Sequence, residues 1–171
     1  TSHLSAEFIV RQHSILSGLP ATIIRLTNSY GCPLNNKRVN WNLLLNDLAR
    51  MAIKKNKLIL RSAPNIKRDF IYMADVAKAI NELIFYEYPK KPGQIFNLSF
   101  GKSISLLEAA KEIRKAFLIY KGFEIPIKYK DSLNKIDDLI IDSSLINRYL
   151  SFKPEFRIIE EAIKTFKLLD E

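Results

Sequence analysis

The chain has 171 residues, of which 47% are hydrophobic, enough for one ordinary domain with a sizeable core. Its formal charge is +9, and no apolar stretch approaches the roughly 20 residues that a membrane-spanning helix needs. One cysteine, Cys32, excludes an intrachain disulfide, and one cysteine with two histidines cannot complete a four-ligand Cys/His metal site. We therefore expect a cytoplasmic globular protein with no metal and no membrane or nucleic-acid partner, its scattered lysines serving solubility.

The first predicted elements form half of an α/β unit. Residues 2–17 have a helical pattern with apolar side chains on more than one side, which is typical of a helix packed between two layers. The β-branched run 21–26 predicts a buried strand, because it is short and bounded by turn residues. The polar, turn-rich composition of 27–40 predicts a loop, and loops that follow such strands often carry function.

The next stretch continues the alternation of helices and strands. Apolar residues at helical spacing predict an amphipathic helix over 41–52. Residues 58–60 and 69–72 have the composition of short strands on either side of a Pro-Asn turn. Asp75 is then predicted to cap a helix that continues through Ile84.

The remaining elements are shorter and lie between loops. Ser105 and Glu108 have the spacing of a capping box, which predicts a helix beginning there. Further strands are predicted at 95–98, 125–129 and 139–141, and further helices at 145–150 and 158–169. Strands alternating with helices indicate an α/β protein, and the later elements a small mixed lobe.

Four motifs, in the same order and with similar spacing, resemble the extended short-chain dehydrogenase/reductase superfamily, and within it the NAD-dependent nucleotide-sugar epimerases and dehydratases. They are Thr1-Ser-His-Leu-Ser-Ala-Glu7 with Ile24-Arg-Leu-Thr-Asn-Ser-Tyr-Gly31, Lys67-Arg-Asp-Phe-Ile-Tyr-Met-Ala-Asp-Val-Ala77, Gln94-Ile-Phe-Asn-Leu-Ser-Phe-Gly101, and Asp142 with Leu150-Ser-Phe-Lys-Pro154.

The resemblance implies an α/β fold that is the C-terminal part of a Rossmann-type doubly wound sheet plus a small mixed α/β substrate-binding lobe. Residues 1–35 would be the last helix and strand of the NAD-binding domain, and 36–171 the substrate-binding lobe, with 69–100 partly returning to the Rossmann sheet. The chain has no G-x-G-x-x-G motif. We therefore expect NAD (or NADP) to be bound mainly by a preceding half of the protein.

The resemblance also assigns roles to individual residues. His3 takes the place of the family's catalytic Lys, which also contacts the cofactor, and the partner Tyr would lie before Thr1. Thr27 would face the nicotinamide, while Asn28 and Arg68 would bind the diphosphate of a nucleoside-diphosphate sugar. Such a protein is expected to form a homodimer through helix 2–17, and to epimerise or dehydrate the sugar through transient hydride transfer to NAD.

Simpler readings of these residues remain open. Arg68 and Asp69 could form a surface ion pair, and Asn28 could shape a turn. A neutral histidine at position 3 would activate the tyrosine less than the family's lysine does. The chain departs from the family pattern at three places: the histidine at position 3, the absence of glycine in 62–67, and the absence of a clear counterpart to the arginine often found upstream of Asp142. An inactive sugar-nucleotide- or protein-binding relative is therefore the first alternative. A basic nucleic-acid-binding domain is the second.

Overall fold

The computed structural model describes residues 2–35, 37, 40–85, 91–130 and 140–171. In these ranges helices and strands alternate along the chain. The helices are α1 (Ser2–Ser17), α2 (Leu44–Lys55), α3 (Met73–Phe85), α4 (Leu106–Lys121), α5 (Ser144–Asn147) and α6 (Ile158–Asp170). The strands are β1 (Thr22–Leu26), β2 (Asn28–Tyr30), β3 (Leu58–Ile59), β4 (Lys67–Tyr72), β5 (Gln94–Leu98), β6 (Ser103–Ser105) and β7 (Ile127–Lys128).

Parallel pairing between distant parts of the chain organises the strands. β1 pairs with β5 over its whole length, β2 pairs with β4, and β3 pairs with β7, all in parallel. β6 extends the second of these sheets by an antiparallel pairing with β4. Parallel strands joined through helices are the pattern of an α/β protein, which confirms the predicted fold class.

Strand β4 separates two hydrophobic cores, because consecutive side chains of a strand point to opposite faces. Phe70 packs into a cluster formed mainly by α2, α4 and α6, and its neighbour Ile71 packs into a second cluster with α3, β5 and α5. The same alternation places Arg68 on the face of Phe70 and Asp69 on the face of Ile71. The side chains of residues 68 and 69 therefore lie on opposite faces of the sheet.

The predicted capping box at the start of α4 is confirmed. The Ser105 hydroxyl accepts a hydrogen bond from the Glu108 amide at 3.1 Å, and the Glu108 carboxylate accepts one from the Ser105 amide at 2.7 Å. The backbone hydrogen bond from Ser105 lowers the pKa of Glu108. Because the folded-state pKa is lowered, this contribution to stability is present near neutral pH and is lost as the pH falls through the folded-state value.

The prediction of one continuous loop over 27–40 is wrong at its start. Asn28–Tyr30 forms β2, which pairs with β4 more than 40 positions further along the chain. Composition near a turn does not reveal such a partner, because the pairing is tertiary.

Two helix starts also differ from the prediction. The helix predicted at 41–52 begins at Leu44, since Leu43 has an extended backbone, and Trp41 lies before it with Arg50 over its ring at 5.8 Å. The prediction that Asp75 caps its helix is wrong, because α3 begins at Met73. The Asp75 carboxylate instead accepts a hydrogen bond from the Glu155 amide at 2.7 Å.

The C-terminal strands are shorter than predicted. Only Ile127–Lys128 of the predicted strand 125–129 is paired, and β6 was not predicted. Of the strand predicted at 139–141, residue 139 lies outside the described residues, and 140–141 do not form a strand. The helix predicted at 145–150 is the single turn Ser144–Asn147.

Helix α1 has the predicted bounds, but its apolar side chains are not covered by the described residues. Ile9 is 69% exposed and Leu16 is 77% exposed, and its one buried residue is Ser14. Among the described residues, α1 is held at Arg25 of β1, which bonds to Glu7, and at the turn before β5, where the Gly93 amide donates to the Ser14 hydroxyl at 3.0 Å. The predicted packing between two layers would need a second partner.

Candidate functional site

A buried carboxylate, Asp69, joins three segments at the carboxyl end of β1. Asp69 is 2% exposed. Its Oδ1 accepts hydrogen bonds from the Thr27 hydroxyl at 2.7 Å and the Phe100 amide at 2.9 Å, and its Oδ2 accepts one from the Gly101 amide at 2.8 Å. One side chain thus holds together the β1–β2 junction, strand β4 and the loop between β5 and β6.

The suggested Arg68–Asp69 surface pair is wrong for this reason. Asp69 is turned inward and its oxygens are taken by Thr27 and the 100–101 loop, whereas Arg68 is exposed. The Arg68 guanidinium donates to the Lys67 carbonyl oxygen at 2.9 Å. The side chain is exposed and has further N–H donors, and a forked guanidinium can bind carboxylate or phosphate oxygens.

Thr27 and Asn28 lie together in one cleft. The cavity has a volume of about 260 Å³ and is lined by 27–30, 43–46 and Phe70. The Asn28 amide group donates to the Asp69 carbonyl oxygen at 3.0 Å, across the β2–β4 pair. The suggestion that Asn28 shapes a turn is therefore wrong, since it lies in a strand and bridges to the next one.

A neighbouring cavity of about 450 Å³ follows the end of β2. Its lining includes residues 29–30 of β2, the loop residues 31–35, Asn46 and Met73. The loop is held by a residue that sequence reasoning missed, because the Cys32 amide donates to the Glu161 carboxylate of α6 at 2.7 Å. The two residues are 129 positions apart, and no motif links them.

A third, basic cavity lies at the carboxyl ends of the parallel strands β3 and β7. It has a volume of about 510 Å³ and is lined by 59–63 and 128–130, which include Arg61, Lys128, Lys130 and the exposed Tyr129. The Arg61 guanidinium is 3.1 Å from the Asp47 carboxylate of α2, an ion pair that restrains it. The loop 61–66 leads from this cavity directly into β4 and Arg68.

His3 lies on the exposed first turn of α1. One turn later, the Glu7 carboxylate accepts hydrogen bonds from the Arg25 guanidinium of β1, the shortest at 2.7 Å. These hydrogen bonds lower the pKa of Glu7 and raise that of Arg25. The pair joins the start of α1, which carries His3, to β1, the strand that ends just before Thr27.

The part of the chain that the structure describes contains neither a grouped set of metal ligands nor a membrane-spanning helix. Among these residues, no three or more His, Cys, Asp or Glu side chains are grouped so that they could hold a metal ion. None of the described helices has the length and apolar character to cross a membrane.

Solved structures with a similar fold include two sugar-nucleotide epimerases. UDP-N-acetylglucosamine 4-epimerase from Methanobrevibacter ruminantium M1, in complex with UDP-N-acetylmuramic acid, superposes with a TM-score of 0.77 at 21% identity, over 98% of this chain and 51% of that one. UDP-glucuronic acid 4-epimerase from Bacillus cereus, in complex with NAD, gives a TM-score of 0.73 at 15% identity, over 98% and 48%. The chain thus spans about half the length of these structures, and the likeness shows the fold.

Curated relatives match shorter stretches. The dTDP-L-rhamnose 4-epimerase of Burkholderia thailandensis is 29% identical over 110 residues, which are 64% of this chain and 30% of that protein. An ATP synthase gamma chain of Clostridium botulinum is also 29% identical, over 89 residues that are 51% of this chain and 32% of the other. The solved structures, which cover nearly the whole chain, agree with the first of these relatives.

A family model decides between these two matches, since it covers more than half of the chain. It matches residues 1–99, which contain α1, the β1–β2 junction, Arg68 and Asp69. The chain belongs to the NAD dependent epimerase/dehydratase family.

Proposed function

We propose that this chain is the substrate-binding portion of an NAD-dependent nucleotide-sugar epimerase or dehydratase. The observation that carries the proposal is the Asp69 junction, which sets Thr27, Asn28 and the Arg68 strand at one sheet edge. Ligands of α/β proteins bind beyond the carboxyl ends of parallel strands, and Thr27 and Asn28 directly follow the carboxyl end of β1. In this proposal, residues 1–35 complete a cofactor domain and 36–171 form the substrate lobe, with 69–100 partly returning to the cofactor sheet.

Arg68 and Asn28 would hold the diphosphate. Arg68 is exposed at the start of β4 and has guanidinium donors beyond the one that the Lys67 carbonyl uses, and Asn28 lines the adjoining cleft. The nucleoside end would lie in the basic β3–β7 cavity, whose loop 61–66 leads into β4. There Tyr129 offers an aromatic face for a base, and Arg61 with the lysines offers positive charge.

The residues of this chain fit one part of a dinucleotide site. Thr27 is half-buried at the end of β1, and its hydroxyl is oriented by Asp69, so it can form a wall beside a nicotinamide. The five glycines are far apart in sequence and form no phosphate-binding loop. The bound cofactor would accept and return a hydride, and we propose that a preceding half of the protein holds most of it.

Isothermal titration with UDP-N-acetylglucosamine tests the substrate role. We expect Arg68→Ala to weaken binding by about 10- to 100-fold, because a charge-assisted contact to phosphate contributes roughly 1.5–3 kcal/mol. Lys115→Ala, which removes an exposed positive charge from α4, is the matched control and should bind as the wild type does. Equal affinity of the two variants would contradict the assignment of Arg68.

A separate prediction concerns His3. In the whole enzyme, we expect His3→Lys to raise turnover near neutral pH, because a lysine there is positively charged and an ordinary histidine is mostly neutral. Steady-state rates on a nucleotide sugar measure this, and unchanged or lower turnover would contradict it. If the enzyme binds NAD but turns over no sugar nucleotide with either histidine or lysine at position 3, the protein is instead an inactive sugar-nucleotide- or protein-binding relative.

The exposed face of α1 supports a second copy of the chain as partner. Ile9 and Leu16 are seven positions apart, so they lie on the same side of the helix, and both are largely exposed. We expect Ile9→Lys to shift the protein from dimer to monomer in sedimentation velocity. Ile119→Lys, at a site on α4 that is 60% exposed, should leave the dimer intact. A wild-type protein that sediments as a monomer would contradict the proposal.

A further inference from the structure

The C-terminal helix α6 places a buried carboxylate behind the loop that follows β2. Glu161 is 6% exposed. Its Oε2 accepts a hydrogen bond from the Cys32 amide at 2.7 Å, and its Oε1 accepts bonds from the Tyr72 hydroxyl at 3.1 Å and the Lys164 ammonium group at 2.6 Å. Both oxygens are therefore used, one for the loop and one for the end of β4.

These two attachment points belong to the wall of the 450 Å³ cavity. Gly31, Cys32 and Pro33 line it from the loop, and Met73, next to Tyr72, lines it from the start of α3. The loop lies against both elements at Gly31, where an added Cβ would make ordinary van der Waals contacts with the Met73 Cβ at 3.4 Å and the Glu161 Oε2 at 3.8 Å. A shift of the loop would therefore change the shape of the cavity.

The electrostatics of Glu161 favour the charged form despite its burial. Burial alone would raise the pKa of Glu161, but the hydrogen bonds from Lys164, Cys32 and Tyr72 outweigh burial and lower it. The contribution of these bonds to stability is thus present near neutral pH and is lost as the pH falls through the lowered value. Exposed Lys164 supplies the positive charge, and Cys32 and Tyr72 supply the fixed geometry.

We propose that Glu161 is a positioning residue that holds the 31–33 loop in place so that the 450 Å³ cavity can receive the sugar of a nucleoside-diphosphate sugar. This role rests on the proposed function. The cavity adjoins the cleft of Thr27 and Asn28, since Ser29, Tyr30, Leu43 and Asn46 line both. A sugar attached to a diphosphate at Arg68 and Asn28 would then extend into a pocket whose wall is set by α6.

The single cysteine of the chain makes the loop position measurable without any activity. The half-buried Cys32 thiol donates to the Pro33 carbonyl oxygen at 3.4 Å, so its alkylation by iodoacetamide reports on the loop alone. We expect Glu161→Ala to speed alkylation by about tenfold, since the Cys32 amide loses its charged partner. Glu161→Gln keeps one acceptor for that amide and should restore slow alkylation in part.

Two control variants separate positioning from general stability. Glu160→Ala removes the same charge one residue away, at an exposed site, and should change the alkylation rate by less than about twofold. Phe117→Leu weakens the same core far from the loop, where Phe117 packs edge-on against Phe123 and Phe166. It should lower the melting temperature without faster alkylation of Cys32 at 25 °C.

Adding UDP-N-acetylglucosamine completes the test. The proposal expects the sugar nucleotide to slow alkylation of wild-type Cys32 and to protect Glu161→Ala much less. Alkylation that is equally slow in Glu161→Ala and Glu160→Ala would overturn the positioning role. Faster alkylation in Glu161→Ala with no protection of the wild type, while titration shows that the ligand binds, would overturn the sugar pocket. If titration shows no binding either, the proposed function fails as well, and the substrate part of this inference with it.

Discussion

Asp69→Ala is expected to lower the free energy of unfolding by about 3 to 5 kcal/mol. The change leaves the half-buried Thr27 hydroxyl and the Phe100 and Gly101 amides without the buried carboxylate that they share. Asp69→Asn should cost about 2 kcal/mol, because its NH₂ group would meet the Gly101 amide in place of Oδ2. Urea titrations measure both values.

The neighbouring residue provides the control. Arg68→Ala should change the free energy of unfolding by less than about 0.5 kcal/mol, because Arg68 is exposed and its one described bond is to the adjacent backbone. The two substitutions therefore have opposite profiles: loss of stability at position 69, and loss of ligand affinity with stability retained at position 68. A cost below about 1 kcal/mol for Asp69→Ala would contradict its role as the junction.

Gly93→Ala is expected to cost about 2 to 4 kcal/mol and to loosen α1 from the sheet. Gly93 has φ +65°, and a Cβ there would lie 2.5 Å from the Arg11 Cγ and 3.1 Å from the Arg11 Cα of α1. The left-handed backbone penalises any L side chain, and the overlap pushes on the helix itself. Because the Gly93 amide also donates to Ser14, the displacement should break that contact.

Gly122 supplies a matched glycine in open surroundings. It has φ +82° at the end of α4, and a Cβ there would meet nothing within 4 Å. Gly122→Ala should therefore cost only about 1 kcal/mol, the backbone part alone. Hydrogen exchange of the α1 amides should rise in Gly93→Ala and stay unchanged in Gly122→Ala. Equal costs for the two substitutions would show that contact with Arg11 does not matter.

Local signals predicted much of the fold. The capping box of Ser105 and Glu108 and the periodicity of residues 158–169 locate α4 and α6 closely, because both depend on neighbours within one or two turns. The bounds of α1 and β5 were predictable for the same reason. The three-residue strand β2 was not, since its pairing with β4 depends on residues that are distant in sequence.

The sequence predicted residues of the candidate site but not the hydrogen bonds that join them to the rest of the fold. Thr27, Asn28 and Arg68 were singled out because they occupy positions of the family motifs that the sequence resembles. The inward direction of Asp69 follows from strand alternation only once β4 is known to separate two cores. The bond between Glu161 and the Cys32 amide has no local signal, because it spans 129 positions and joins a helix to a loop.

The most direct test of the central claim is to titrate ¹⁵N-labelled protein with UDP-N-acetylglucosamine and map which backbone amides shift. We expect the amide signals of Asn28, the 31–33 loop and Arg68 to shift, and those on the exposed side of α4 around Lys115 to stay unchanged. Arg68→Ala should suppress these shifts while the rest of the spectrum stays folded. Unshifted amides at Asn28 and Arg68 with millimolar ligand would contradict the assignment of this chain to nucleotide-sugar binding.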